Sequence, residues 1–123
     1  ALAPAGRVVA VEPSPHIAAR LRETLSLNRM AERVAVEQCA VSAAPGEAEF
    51  HVDSGHSAGS KLVDAGTMDR ATLASPPVRV PVTTMDALMA AHALPRLHLV
   101  KVDVEGFEGD VLDGARETIA RHR

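Results

Sequence analysis

Residues 97–106 read LHLVKVDVEG, and this stretch decides the fold class of the chain. The apolar, β-branched residues 97–103 predict a strand, which the glycine at position 106 ends with a turn. Alternation along an extended chain sends Lys101, Asp103 and Glu105 to the same side. Three charged groups at one strand end are costly unless they pair with one another or meet a ligand. They are therefore either a functional group or a lysine–carboxylate pair that closes the sheet, and the spacing leaves both interpretations open.

The residues before this stretch alternate between predicted strands and helices. Residues 7–12 read RVVAVE and predict a strand buried on both faces. Residues 14–30 begin with Ser-Pro, an N-cap followed by proline at the first helical position, and predict a helix. Further strands are predicted over 33–39, 48–52 and 78–82. Pro81 indicates a sheet edge because proline has no N–H to donate, and residues 54–77, rich in small and polar side chains, predict a mobile loop.

Two more predicted helices flank the stretch that decides the fold. Thr84 is the expected N-cap of a short helix before it. After it, an apolar residue at every fourth position from 107 to 119 predicts one final helix, in which Gly114 permits close approach of helix and sheet. The order strand, helix, strand, insertion, strand, helix indicates a parallel α/β sheet with right-handed crossovers.

Composition narrows the class of protein. A chain of 123 residues, 46% of them hydrophobic, is expected to form one soluble globular domain over 1–123. A net charge of −3 and two aromatic residues argue against a nucleic-acid partner. The single cysteine excludes an intramolecular disulfide and fits a reducing compartment, so we expect a cytoplasmic protein. The longest apolar runs are only a few residues, so no membrane span is expected. The histidines are isolated from other ligand types, which predicts no metal site.

The strand ends are the natural place for a ligand, because open parallel sheets bind ligands beyond the carboxyl ends of their strands. Glu12 ends the first predicted strand, and its carboxylate offers two acceptor oxygens for the hydroxyls of a ribose. It is equally well explained as a solvated surface acid. The ribose argument does not distinguish NAD from S-adenosylmethionine. Cys39, at the end of the second predicted strand, is most simply an unreactive core thiol.

Six segments, in this order, carry a resemblance to a known family. They are VAVEP (9–13), the helix with Leu25 and Asn28, CAVS (39–42), TMDAL (84–88), LVKVDVEGFE (99–108) and VLDGA (111–115). In these segments the chain resembles the FkbM-type methyltransferases. The resemblance implies a class I, Rossmann-like fold, with a mostly parallel sheet and helices on both faces. It also implies a dependence on S-adenosylmethionine and a substrate that is a small molecule or sugar with a hydroxyl acceptor.

The resemblance also implies roles for individual residues. Glu12, with Pro13 beside it, holds the ribose of the cofactor, and Cys39 and Ala40 lie near the adenine. Residues Lys101, Asp103 and Glu105 border the methyl-transfer site. A carboxylate there orients or deprotonates the substrate hydroxyl, which is general-base work.

The chain departs from the family pattern at its start. The family has a strand and a glycine loop of the Asp-Val-Gly-Ala-Asn type before the Glu-Pro strand, whereas only residues 1–6 precede that strand here. We therefore expect an incomplete Rossmann-like domain. In the family the absent strand lies between the strands that end at Glu12 and Asp103. This chain should pair residues 8–11 directly with 99–102, pack poorly there, or take a strand from another chain.

Two alternative functions follow from the same residues. A dinucleotide-dependent oxidoreductase would use Glu12 in the same way, but the Asp-Val-Glu-Gly strand end argues against it. A non-catalytic domain is consistent with the missing glycine loop, since such loops let the backbone approach a cofactor closely.

Overall fold

The computed structural model describes residues 6–51, 61–62, 77–104 and 106–122, and within them the chain is a mixed α/β protein. The strands are β1 (Val8–Val11), β2 (Val34–Glu37), β3 (Ala40–Val41), β4 (Gly46–His51), β5 (Lys61–Leu62) and β6 (Val78–Thr83). The helices are α1 (Pro15–Leu27), α2 (Met85–Ala91), α3 (Glu108–Asp113) and α4 (Arg116–Arg121). No helix in these ranges is long and apolar enough to cross a membrane.

The first sheet consists of β1 and β2, which are parallel and joined by α1. Their register runs from Val8 opposite Val34 to Val11 opposite Glu37. The predicted start of α1 is confirmed: the Ser14 hydroxyl accepts the backbone N–H of Ile17 at 3.4 Å, and proline follows at the first helical position. The side chains of β1 are only half-buried. The prediction of a strand buried on both faces is therefore wrong for β1 in the described part of the chain.

The second sheet has the order β3-β6-β4-β5. Its core consists of Ala40, Phe50 and Val80, with Val82 packed against them. β3 is parallel to β6, whereas β4 is antiparallel to both β6 and β5. β3 and β4 lie on opposite sides of β6 and are joined only by residues 42–45, so the chain reverses direction between them. A parallel course would need a crossover of a dozen or more residues. A mostly parallel sheet is therefore not seen in the described residues.

The structure also bears on two smaller predictions, which concern Pro81 and the loop over 54–77. β6 lies between β3 and β4, so the edge position expected from Pro81 is wrong. Pro81 lies opposite Glu47 of β4 on one side. On the other side β3 pairs only with Val82 and Thr83, so no β3 residue lies opposite the proline. Most of the predicted loop over 54–77 lies outside the described residues. Within it, the backbone of 61–62 forms β5.

The strand predicted over 97–103 is not formed. Residues 96–104 have no regular structure, and no described strand pairs with them. Leu99 is 84% and Val100 41% exposed to solvent. A strand needs a neighbour for its backbone donors and acceptors, and an apolar sequence without one gains nothing from being extended. Direct pairing with 8–11 is therefore wrong among the described residues, whereas loose packing at this position is seen.

The final helix predicted over 107–119 is broken into α3 and α4 at Gly114 and Ala115. The close approach expected of Gly114 is confirmed. A Cβ built on this glycine would overlap the carbonyl oxygen of Ser42, and it would lie 3.1 Å from the Ser42 carbonyl carbon and 3.3 Å from the Thr84 Cβ. The break lets the chain turn against the segment that follows β3.

Candidate functional site

Glu12 lies directly after β1, at the carboxyl end of the parallel pair. Its backbone N–H donates to the Glu37 carbonyl at 3.0 Å, so it extends the pairing of the two strands by one step. Its carboxylate oxygen Oε1 accepts the backbone N–H of Ser14 at 2.8 Å. Among the described residues, no hydrogen bond to the second carboxylate oxygen is seen. The turn through Pro13 thus fixes the direction of a half-buried carboxylate that keeps an acceptor for a ligand.

The carboxyl end of β2 carries a second acid and the only thiol of the chain. The Glu37 carboxylate meets the His92 ring nitrogen Nε2 at 2.8 Å, which connects β2 to the end of α2. Cys39 and Ala40 are buried where the chain passes from the first sheet to the second. Burial raises the pKa of the Cys39 thiol, and the negative charge of Glu37 raises it further. Cys39 therefore fits an apolar contact surface and not a nucleophile.

Lys101 and Asp103 form an ion pair on the irregular segment. The Lys101 Nζ lies 2.5 Å from Asp103 Oδ2, and both side chains are more than three-quarters exposed, at 78% and 76%. The hydrogen bond from Lys101 and its positive charge lower the pKa of Asp103. The lysine–carboxylate pair predicted as one alternative is thus present, although it closes no sheet. Glu105, the third predicted member, lies outside the described residues.

The structure brings part of the predicted site together. Glu12 and Pro13 adjoin the end of β2, because Glu12 bonds to the backbone of Glu37, two residues before Cys39. Within the described ranges, no hydrogen bond or ion pair joins Lys101 or Asp103 to these residues. The residues predicted for the cofactor and those predicted for methyl transfer are thus not joined by a hydrogen bond or ion pair in the described part of the chain.

The described part of the chain also contains a cavity. It has a volume of about 320 Å³, is open to solvent, and is lined by residues of α1 and β2 and by the connection between them, namely Arg22, Leu25, Ala31, Val34 and Val36. The Arg22 guanidinium bonds to the Val36 carbonyl at 3.1 Å, on the outer edge of β2. None of the predicted site residues lines this cavity.

Asp86 has a structural role that the sequence pattern did not indicate. Asp86 Oδ1 accepts the backbone N–H of Thr118 at 2.7 Å and its hydroxyl at 2.6 Å, while Oδ2 accepts the Glu117 N–H at 3.1 Å. Burial acts to raise the pKa of Asp86, but these hydrogen bonds and the charge of Arg121 together lower it. No local signal indicated this role: α4 begins at Arg116, its N-cap Ala115 has no polar side chain, and the acceptor for its free N–H groups comes from a distant part of the chain.

Metal binding finds no support in the described ranges, since no group of three His, Cys, Asp or Glu side chains there could hold an ion. The chemistry that the described residues offer is carboxylate chemistry: a fixed acceptor at Glu12 and an ionised acid at Asp103. Both suit hydrogen bonding to hydroxyl groups.

Comparison with known proteins identifies the chain as a methyltransferase domain. It belongs to the family described as the Methyltransferase FkbM domain, whose match covers residues 1–123. The chain is similar to the 2-O-methyltransferase NoeI of Sinorhizobium fredii (strain NBRC 101917 / NGR234), with 25% identity over 131 residues. That match covers 99% of this chain and 53% of the relative, so the chain spans about half the length of the curated relative. No solved structure matches the chain significantly. The resemblance drawn from the sequence is therefore confirmed.

Proposed function

We propose that the protein transfers a methyl group from S-adenosylmethionine to a hydroxyl group of a sugar or another small molecule. Membership of the FkbM family supports methyl transfer, and the name of the S. fredii relative supports an oxygen acceptor. The observation that carries the proposal is the position of Glu12. It is a carboxylate held at the carboxyl end of a parallel strand pair, where an open α/β sheet binds nucleotides. We assign the protein to the cytoplasm, since its single cysteine suits a reducing compartment.

The residues at the ends of β1 and β2 fit the nucleoside part of this cofactor. One Glu12 oxygen is occupied by the Ser14 N–H, which leaves the other for ribose hydroxyls. Pro13 fixes the backbone dihedral after the acid and so directs its side chain. Cys39 and Ala40 lie just after β2, so in this proposal they pack beneath the adenine ring as part of the apolar wall of its pocket. The unit β1-α1-β2 is the part of a Rossmann-like sheet that this proposal requires. When bound, the cofactor supplies an electrophilic methyl group.

Lys101, Asp103 and Glu105 make up the methyl-transfer side in this proposal. Because Lys101 lowers the pKa of Asp103, the carboxylate is ionised at neutral pH and is a weak proton acceptor. Its proposed work is therefore to accept a hydrogen bond from the substrate hydroxyl and align it, more than to remove its proton. Alignment of the reacting atoms is a large part of such catalysis. Since the Lys101–Asp103 pair is exposed, the substrate or other parts of the protein must also shield it from water during the reaction.

The test is calorimetric binding of S-adenosylmethionine and NAD to the full-length protein and to two variants. Glu12→Ala should weaken binding of S-adenosylmethionine by about 1.5–3 kcal/mol, the range for a hydrogen bond to a charged group. This corresponds to roughly a 10- to 150-fold rise in Kd. Glu23→Ala, an exposed acid on α1, is the matched control and should leave the Kd unchanged. An unaltered Kd for Glu12→Ala, or tighter binding of NAD by the wild type, would remove the basis of the proposal.

A further inference from the structure

Asp86 joins the start of α2 to the start of α4. Its carboxylate accepts three hydrogen bonds from Glu117 and Thr118, residues 31 and 32 positions further along the chain. Its backbone N–H donates to the Gly114 carbonyl at 3.0 Å. A carboxylate that accepts two backbone N–H groups at the start of a helix serves as that helix's cap, here supplied from a distant helix. Asp86 thus closes a loop of about thirty residues.

The same place contains the end of β3. Gly114 lies against the Ser42 carbonyl, with no room for a Cβ, and the Ser42 N–H donates to the Thr83 carbonyl at 2.9 Å. Ser42 comes two residues after Ala40, the last residue of the predicted cofactor side. We call the group of Ser42, Thr84, Asp86, Gly114 and Thr118 the Asp86 junction. It therefore connects the cofactor side to the loop that Asp86 closes.

The closed loop contains Lys101 and Asp103. The segment that carries them, 97–104, pairs with no strand among the described residues, so other contacts must determine its position. At its start, the Leu97 N–H donates to the His122 Nδ1 at 3.4 Å, and the Glu37–His92 pair ties the end of α2 to β2. At its end, the segment continues into α3 and from there to Gly114. The loop is thus fastened mainly at its two ends.

We propose that Asp86 is a positioning residue that sets where the segment with Lys101 and Asp103 lies relative to Cys39 and Ala40. The expected effect on turnover rests on the proposed function, whereas the expected effect on the position of the segment does not. Without the carboxylate, the α3–α4 turn keeps only the backbone bond from residue 86 to Gly114 and the contact of Gly114 with Ser42. The segment then samples a wider range of positions, because the loop gains chain entropy when it is held less tightly. Because a displacement of about 1 Å can lower the rate by about a hundredfold, loss of this tie lowers turnover more than it lowers cofactor affinity.

The experiment uses the full-length protein with Asp86→Ala, Asp86→Asn and, as a control, Asp113→Ala. The control removes the exposed Asp113–Arg116 pair from the same turn without touching the junction. Limited trypsin digestion, followed by mass spectrometry, measures cleavage after Lys101 without need of cofactor or substrate. Asp86→Ala should speed this cleavage at least tenfold, and Asp86→Asn less, because an amide still accepts from Thr118. Asp113→Ala should cleave at the wild-type rate.

Methyl transfer gives the second measurement. Per folded molecule, Asp86→Ala should lower kcat 10- to 100-fold, with a Kd for S-adenosylmethionine within about twofold of wild type. The kcat of Asp86→Asn should lie between those of Asp86→Ala and the wild type. Unchanged cleavage after Lys101 in both variants would overturn the inference, as would an unchanged kcat in folded protein. If the wild type neither binds S-adenosylmethionine nor transfers methyl groups, the proposed function fails. The digestion alone then decides whether Asp86 holds the segment.

Discussion

Gly114→Ala tests how closely the α3–α4 turn packs against the end of β3. The backbone itself accepts alanine, since Gly114 has φ −76° and ψ 1°. On that ground the substitution should stabilise the protein by about 0.4–1 kcal/mol, through a less flexible unfolded chain. The new methyl group, however, would overlap the Ser42 carbonyl oxygen and lie 3.1 Å from its carbon.

The size of the clash decides whether the substitution stabilises or destabilises the protein. Overpacking costs about 1–3 kcal/mol, and the obstacle here is backbone, which cannot move away by a change of rotamer. Subtracting the gain from the unfolded state leaves between about 0 and 2.6 kcal/mol, and because the backbone obstacle cannot move aside we expect a destabilisation of about 1–2 kcal/mol within that range. In a chain of 123 residues this should lower the Tm by about 4–8 °C.

Gly109→Ala is the matched control, because Gly109 lies within α3 and a Cβ there would meet nothing within 4 Å. It should stabilise the protein by about 0.5–1 kcal/mol, the difference in helix propensity. Thermal and urea unfolding of both variants, followed by circular dichroism, measure the two effects. A Gly114→Ala protein that melts at or above the wild-type temperature would refute the close packing, as would equal shifts in the two variants.

Three further outcomes are expected. Ser14→Ala should lower the free energy of unfolding by about 1 kcal/mol, measured in urea, because Ser14 is buried and caps α1; no change would mean that the 3.4 Å bond contributes nothing. Because the pKa of Asp86 is lowered by folding, its stabilisation is complete above the unfolded-state pKa and is lost as the pH falls below about 4. The wild type should therefore lose stability more steeply than Asp86→Asn between pH 5 and 2 in acid titrations, and parallel curves would contradict this. In the full-length protein, Asp103→Asn should lower kcat with little change in the unfolding midpoint, and undiminished methyl transfer would leave Asp103 with only its ion pair to Lys101.

Elements whose signals are local were predictable from the sequence. The Ser-Pro start of α1 and the Thr84 cap of α2 each depend on side chains within three positions of the N–H groups that they satisfy. The runs at 8–11 and 34–37 form parallel strands joined by a helix, as the order strand, helix, strand indicated, although the pairing expected for 8–11 was with 99–102. Glu12 also lies at the strand end where its position in the sequence put it.

Features that depend on distant partners were not predictable. The run at 97–103 has the composition of a strand, but a strand is defined by its neighbour, and no described strand supplies one. The start of α4 is capped by Asp86, whose carboxylate reaches residues 31 and 32 positions away. Periodicity describes one helix at a time and contains no information about a cap supplied by another.

Cys39 gives the molecule a built-in chemical reporter. It is the only cysteine of the chain, it is 8% exposed, and its raised pKa leaves little thiolate at neutral pH. An alkylating reagent therefore reacts only when the link between β2 and β3 opens, and the slow rate of labelling measures the free energy of that opening. No dye, tag or substitution is required. A small molecule that binds at the carboxyl ends of β1 and β2 would slow the alkylation of Cys39. Ligands can therefore be ranked by the fraction of protein that gains the mass of the alkyl group, without an assay of methyl transfer.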